Sequence, residues 1–221
     1  RRYPIMTKGG WMSAGVLGTL LWGSLGWKGW ISVVLYLLLG SLVTKIGFKY
    51  KNKLGIAEKR GGRRGPENVL GSASTGLFLA LMINLNLANL ILLKVGFAAS
   101  FAAKLADTFG SEIGKRYGKN TFLITTFKKV RQGTEGAISL EGTIASLFGA
   151  LIMSFVMFIL GFITIGKGLF IVCFSGFAAT IFESFIGATF QEKFNLSNEA
   201  VNAIQTSFSA TLAIFSYKFI F

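Results

Sequence analysis

Residues 90–115 read LILLKVGFAASFAAKLADTFGSEIGK. Most of this stretch is apolar, and a bilayer is crossed by about 20 such residues in a helix. Yet the run carries Lys104, Asp107 and Glu112 before it ends. An ionised group at the centre of a membrane helix costs about 2.5–3.5 kcal/mol on an insertion scale, so these residues face a polar interior and not lipid. Working outward, six more apolar stretches appear, at about 10–26, 28–47, 68–88, 137–162, 168–190 and 199–219. Together they predict an all-α, polytopic transmembrane helical bundle of about seven spans, a single transmembrane domain over 1–221. The composition agrees: 52% of residues are hydrophobic, Phe contributes 22 and mean hydropathy is +0.60. Charged residues make up 14%, against about 25% in a soluble domain. The first stretch is short and weakly apolar. Arg1-Arg2 reads as the interior of something longer, with an upstream segment expected, and the start lacks the cleavage pattern of a secretory signal.

Two polar loops interrupt the apolar runs: FKYKNKLGIAEKRGGRRGPE at 48–67 and KRYGKNTFLITTFKKVRQGTEG at 115–136. Seven spans put both loops, the N-terminus and the 191–198 turn on one side. That side then holds 17 of the 23 Lys and Arg residues, and the other holds 4: Lys28, Lys94, Lys167 and Lys218. This asymmetry fits the positive-inside rule, so the basic loops are expected on the cytoplasmic side, or the stromal side in a plastid. The net charge of +14 therefore points to anionic lipid or an anionic substrate, and not to nucleic acid. Trp22, Trp27 and Trp30 suit an aromatic belt at a membrane edge.

The chain has no His and one Cys, Cys173. Ser-His and Cys-His nucleophiles, His bases and HExxH zinc sites are excluded together. A metal would have to be held by oxygen, which points to magnesium, manganese or calcium, with Mg2+ (or Mn2+) expected where substrate phosphates share the ion. Candidate ligands are the acids within or beside the spans: Asp107, Glu112, Glu135, Glu141 and Glu183. Lys104 lies three residues before Asp107 on the same helix face, so a simple ion pair is the competing reading for that acid. Lys45 and Lys104 alone cannot neutralise all five, and the surplus asks for a cation. Glu58, Glu67, Glu192 and Glu199 are read as solvated charges. Asp107 and Glu112 lie about 140° apart on a straight helix, so sharing one metal requires a break near Gly110. Asp107, Gly110, Ser111 and Gly114 share a face, either opened by its glycines to a polyphosphate or packed against another helix.

The stretch KRGGRRGPENVLGSAS places Gly61, Gly62, Arg63 and Arg64 just before a helix that starts near Pro66. Free N–H groups, a positive dipole end and guanidinium groups make an anion site there. Contact with lipid headgroups explains the same charges. GTEGAISLEG repeats the arrangement, with Gly133 to Gly136 leading into a helix that carries Glu141.

At these motifs a resemblance emerges. KRGGRRGPENVLGSAS, DTFGSEIGK, TTFKKVRQGTEGAISLEGT and ESFIGATFQ, in this order, resemble the integral-membrane phytyl-phosphate kinase family of tocopherol and phylloquinone synthesis. The likeness covers the chain from about residue 5 onward. It implies transfer of the terminal phosphoryl group of CTP, or another nucleoside triphosphate, to phytyl monophosphate, giving phytyl diphosphate. It also implies residence in a cyanobacterial membrane or a plastid envelope or thylakoid. The family's blocks fall on Asp107, Thr108, Ser111, Glu112 and Gly114, on Gly133, Thr134, Glu135 and Gly136, on Gly61 to Arg64 with Asn68, and on Glu183 and Gln191.

Physical inference then assigns roles. Asp107, Glu112 and Glu135 are the catalytic candidates. They and Glu141 would take the metal, with Glu183 in support. Arg63, Arg64, Lys115 and Lys128 would grip phosphates, helped by Gly61, Gly62, Asn68, Ser72, Ser111, Thr134 and Gly136. The acceptor is a phosphate monoester with a second pKa near 6, ionised at neutral pH, so the missing His is no obstacle. Its apolar tail would stay in membrane lipid. Two other classes stay open: a CTP-dependent polyprenol or phytol kinase or lipid cytidylyltransferase, and a membrane transporter, whose intramembrane acids would mark an ion path.

Overall fold

The computed structural model describes residues 5–219, so Arg1 and Arg2 of the basic count lie outside the described residues. Its elements in chain order are α1 (Lys8–Lys45), α2 (Phe48–Lys53), α3 (Pro66–Asn84), α4 (Leu90–Tyr117), β1 (Phe122–Leu123), β2 (Ala137–Ile138), α5 (Leu140–Ile159), α6 (Lys167–Ile186) and α7 (Asn198–Phe219). A 3-10 turn at Lys59–Gly62 precedes α3, and a π-helical turn at Gly187–Gln191 extends α6. β1 and β2 pair antiparallel and tie off the second basic loop.

α1 is not one rod. Gly26 has φ 66° and ψ −161°, a conformation essentially reserved for glycine. The chain doubles back there. A Cβ at Gly18 would lie 3.2 Å from the Trp30 ring, and Gly10 and Gly40 both abut Arg64. In a straight helix Gly10 and Gly40 would be about 45 Å apart at 1.5 Å per residue. Trp22 and Trp30 meet edge to face across the reversal at 5.9 Å. The segments 8–25 and 27–45 thus form a helical hairpin, and the seven stretches expected from hydropathy correspond to seven helical segments among the described residues.

Among the described residues the regular structure is helical apart from the short β pair and isolated bridges. Among the described residues three helices are both long and apolar enough to cross a membrane: α1, α5, and α6 with its π turn, Lys167–Gln191. α3, α4 and α7 are less apolar, which leaves the expected count of seven spans without support from composition. The reason for α4 is its position. It packs against α1, α3, α5, α6 and α7, and Phe97 to Ala103 and Leu105 are all but inaccessible. A helix shielded by its neighbours need not be lipophilic. Its Ala, Gly and Ser residues let other backbones approach, as membrane helix interfaces favour. α7 meets it with polar groups: Ser209 Oγ donates to the Ala99 carbonyl at 2.9 Å, and Gln205 Nε2 to that of Ala103 at 3.4 Å. The bundle exterior carries the large apolar side chains, among them Val16, Leu42, Phe78, Phe148, Phe170 and Phe215.

α4 and α5 cross on small residues. A Cβ at Gly110 would stand 2.1 Å from Ser146 Oγ, and one at Gly149 2.9 Å from Ala106 Cα. Gly110 therefore serves helix packing, while the face it shares with Asp107, Ser111 and Gly114 also borders the polar cavity described below.

The hairpin reversal supplies a test. Gly26→Ala should destabilise the protein by about 1–3 kcal/mol, read as a lower melting temperature in detergent. Gly23→Ala, where a Cβ meets nothing within 4 Å, should leave it unchanged or slightly raised.

Candidate functional site

Alternating helix directions bring the starts of α3, α5 and α7 to the same end of the bundle as the ends of α4 and α6. There they enclose a polar cavity of about 680 Å3, completed by the 55–64 and 132–139 segments. The first turns of three helices reach it through Asn68, Gly142 and Asn198, each bringing the positive end of a dipole toward the cavity. Their caps are polar: Asn68 Oδ1 accepts from Gly65 N at 2.9 Å, Ser139 Oγ from Gly142 N at 3.1 Å and Ser197 Oγ from Ala200 N at 3.2 Å.

Most of the expected site residues line this one cavity: Asp107, Glu112, Glu135 and Glu183 among the acids, and Gly62, Arg63, Arg64, Asn68, Ser72, Ser111, Lys115, Thr134 and Gly136 among the rest. Gly61, Lys128 and Glu141 do not. Gly61 and Lys128 are exposed on their loops. Glu141 sits in the first turn of α5 and accepts from the Lys119 N–H at 3.3 Å, where an acid complements the helix dipole.

The expected surplus of uncompensated acids is smaller than two intramembrane lysines would leave. Asp107 pairs with Lys104, whose Nζ also reaches Asn202 Oδ1 at 2.7 Å. Glu112 pairs with Lys51 of α2, a lysine with no accessible surface whose Nζ also donates to the Thr44 carbonyl at 2.9 Å. α4 runs unbroken from Leu90 to Tyr117, so Asp107 and Glu112 point to different partners and do not converge on one ion. Among the described residues no three acids come close enough to hold a metal alone. Glu135 and Glu183 line the cavity without an ion pair among the described residues. Glu183 lies in the field of Asp107, Lys104, Glu135 and Lys115.

Glu58, read from the sequence as a solvated charge, belongs to the cavity and takes a hydrogen bond from Lys115 Nζ at 3.2 Å. Burial works against its ionisation, but the Lys115 charge and hydrogen bond outweigh it and hold the carboxyl below the ordinary range. Glu135 goes the other way. Burial pushes its carboxyl up, Asp107 and Glu58 add to this, and Lys115 only partly opposes. Glu58 was detectable as an acid set within a basic run. Lys51 was not, because nothing in FKYKNK separates it from its neighbours.

The cationic side of the cavity comes from the 59–64 turn. Arg60 pairs with Glu67 and donates to Asn68 Oδ1 at 3.1 Å. Arg63 Nε donates to the Arg60 carbonyl at 3.0 Å. Arg64 Nη1 donates to Tyr36 Oη at 2.7 Å, with its guanidinium 5.2 Å from the centre of that ring. Neither Arg63 nor Arg64 has a carboxylate partner among the described residues. Gly136, at φ +70°, packs so tightly on the π turn that a Cβ would stand 2.4 Å from Ala188 N. Its role is to seat the 133–136 loop at the end of α6.

This geometry defines a helical membrane protein with a polar cavity at one end, lined by both acidic and basic side chains. The chain belongs to the family described as "Integral membrane protein DUF92", which matches residues 2–210. This agrees with the kinship seen in the four sequence blocks. It is 48% identical to an uncharacterized membrane protein of Synechocystis sp., over 95% of this chain and 82% of that one. It is 41% identical to "Protein VTE6, chloroplastic" of Arabidopsis thaliana, over 98% of this chain and 68% of that one. An uncharacterized membrane protein of Methanocaldococcus jannaschii is 31% identical over 94% of this chain and 84% of that one. No solved structure matches.

Removing one partner of a buried ion pair strands the other charge, whereas replacing both with apolar groups is often near neutral. Lys51→Met should therefore cost about 3–5 kcal/mol, and Lys51→Met with Glu112→Met should recover most of it, measured by denaturant unfolding in micelles.

Proposed function

We propose that this protein is a phosphotransferase that moves the terminal phosphoryl group of CTP, or another nucleoside triphosphate, to phytyl monophosphate, giving phytyl diphosphate. The observation that carries the reading is the single cavity in which Arg63, Arg64, Lys115 and three helix N-termini stand with Asp107, Glu135 and Glu183. Similarity to the chloroplastic VTE6 protein over nearly the whole chain supports it. So does membrane-family membership, because an acceptor with a long isoprenoid tail is available only from lipid. We read all seven helical segments as crossing the membrane in one domain, with the 48–67 and 115–136 loops on the cytoplasmic or stromal side.

The chemistry needs positioning and charge neutralisation more than a base. The attacking oxygen of the monoester is already ionised at neutral pH. Arg63 and Arg64 bind phosphate oxygens through paired N–H donors, and the N-termini of α3, α5 and α7 add backbone donors. Lys115, hydrogen-bonded to Glu58, would meet charge developing on the leaving group. Mg2+ is commonly held by one or two carboxylates and completed by substrate phosphates and water. Asp107, Glu135 and Glu183 are the residues that would hold it. When bound, the ion neutralises charge on the transferring group. Lys104 keeps the Asp107 carboxylate oriented.

The raised Glu135 carboxyl favours one second reading, in which it acts as a base toward an alcohol such as phytol. Purified protein supplied with γ-labelled CTP separates the two. Label is expected in phytyl diphosphate from phytyl phosphate; label in phytyl phosphate from phytol would install the alcohol kinase instead. Transfer from α-labelled CTP would indicate a cytidylyltransferase, and no transfer at all would leave a transporter. In the active protein Asp107→Asn should lower kcat about 100-fold or more while the fold persists. Arg64→Ala should chiefly raise KM, by roughly ten-fold for one lost charge-assisted contact.

A further inference from the structure

A second cavity, of about 230 Å3, lies between the two arms of the α1 hairpin and the start of α3. Its walls are apolar and include Leu17, Val33, Leu37, Val69 and Ala73. Leu17, Val69 and Ala73 are buried, while Trp11, Gly15 and Trp30 are exposed at the rim, so the groove opens sideways on the outer surface of the bundle. Arg64 and Asn68 line both this groove and the large polar cavity. The guanidinium of Arg64 is held at that junction by the Tyr36 hydroxyl and ring. It needs the absence of a side chain at Gly40, where a Cβ would stand 2.8 Å from Arg64 Nη2.

An apolar slot open to the side, ending on an arginine without a carboxylate partner among the described residues and continuous with the large polar cavity, matches one kind of molecule. We propose that it is the tail slot of the acceptor: it takes the first units of a polyisoprenyl chain whose phosphate rests on Arg64 and Asn68. This rests on the phosphotransferase reading above and adds where the acceptor enters and what selects it. The slot is smaller than the roughly 300 Å3 at the low end of drug-sized sites, so it holds only the head-proximal part of a C20 chain, with the remainder in lipid. Lipid tails are as apolar as the slot, so little net hydrophobic gain follows from entering it. Its contribution is shape and orientation, which bring the phosphate to the mouth of the polar cavity at a fixed depth.

Gly15 allows a clean test, because a side chain there meets nothing within 4 Å and projects at the rim. Gly15→Leu is expected to fold normally, with an unchanged melting temperature and unchanged KM for nucleotide. KM for phytyl phosphate should rise roughly ten-fold, and that for the C5 compound isopentenyl phosphate far less. An active Gly15→Leu protein with wild-type KM and chain-length profile would overturn the slot. A binding readout separates this from failure of the kinase reading. Phytyl phosphate with a diazirine on its second isoprene unit, photolysed with the wild-type protein in nanodiscs, should label residues 11–37 or 69–73 whether or not turnover occurs. Labelling confined to the outer faces of α5 and α6 would reject the slot. Wild-type protein that is labelled at the slot but transfers no phosphoryl group would keep the slot and discard the reaction.

Discussion

Charge compensation inside an apolar bundle is the constraint on which this structure depends. A lone ionised side chain surrounded by helices costs several kcal/mol, and α4 carries two acids through the middle of the protein. Each is met by a lysine that the fold delivers: Lys104 from one turn earlier on α4, and Lys51 from the short α2 that follows the α1 hairpin. The second pair does more than neutralise. It anchors α2 against α4, and the basic loop that follows α2 then lies over the end of the bundle.

Packing and polarity are segregated along the helix axes. Where α4 crosses α5, Gly110, Gly142 and Gly149 bring backbones together, so the helices touch with little room for side chains. At their loop ends the same helices part and leave the polar cavity. Antiparallel neighbours necessarily present alternating dipole ends, and at this end three positive ones face the space. The loops that close it are the two basic ones. Basic and acidic side chains thus meet at one pole, where Glu135 and Glu183 line the space without an ion pair among the described residues. Such sites are strained electrostatically, as functional sites commonly are.

The sequence made the helical segments legible because a 20-residue apolar run has few alternatives. It also identified the acids as interior, since lipid tolerates no other placement. Spacing alone left two readings open. Glycines around residue 110 suited both a phosphate-facing surface and a helix crossing, and the residue serves in both places: Gly110 meets Ser146 of α5 and lines the cavity with Asp107, Ser111 and Gly114. Glu141 shares a motif with Glu135, yet its place in the first turn of α5 sends it to the Lys119 amide and outside the cavity.

Composition and periodicity by themselves determined that this is a helical membrane protein with a basic pole and charged residues turned inward. These are one-dimensional properties, set by how each residue partitions between water, lipid and protein. Which charges meet was decided only by the tertiary structure. Lys51 and Glu112 are 61 positions apart, and Arg64 reaches Tyr36 because the chain reverses between α1 and α3, through α2 and the loop that follows it. Pairing across such distances depends on helix rotation and on where the chain reverses, and no local pattern of residues encodes either.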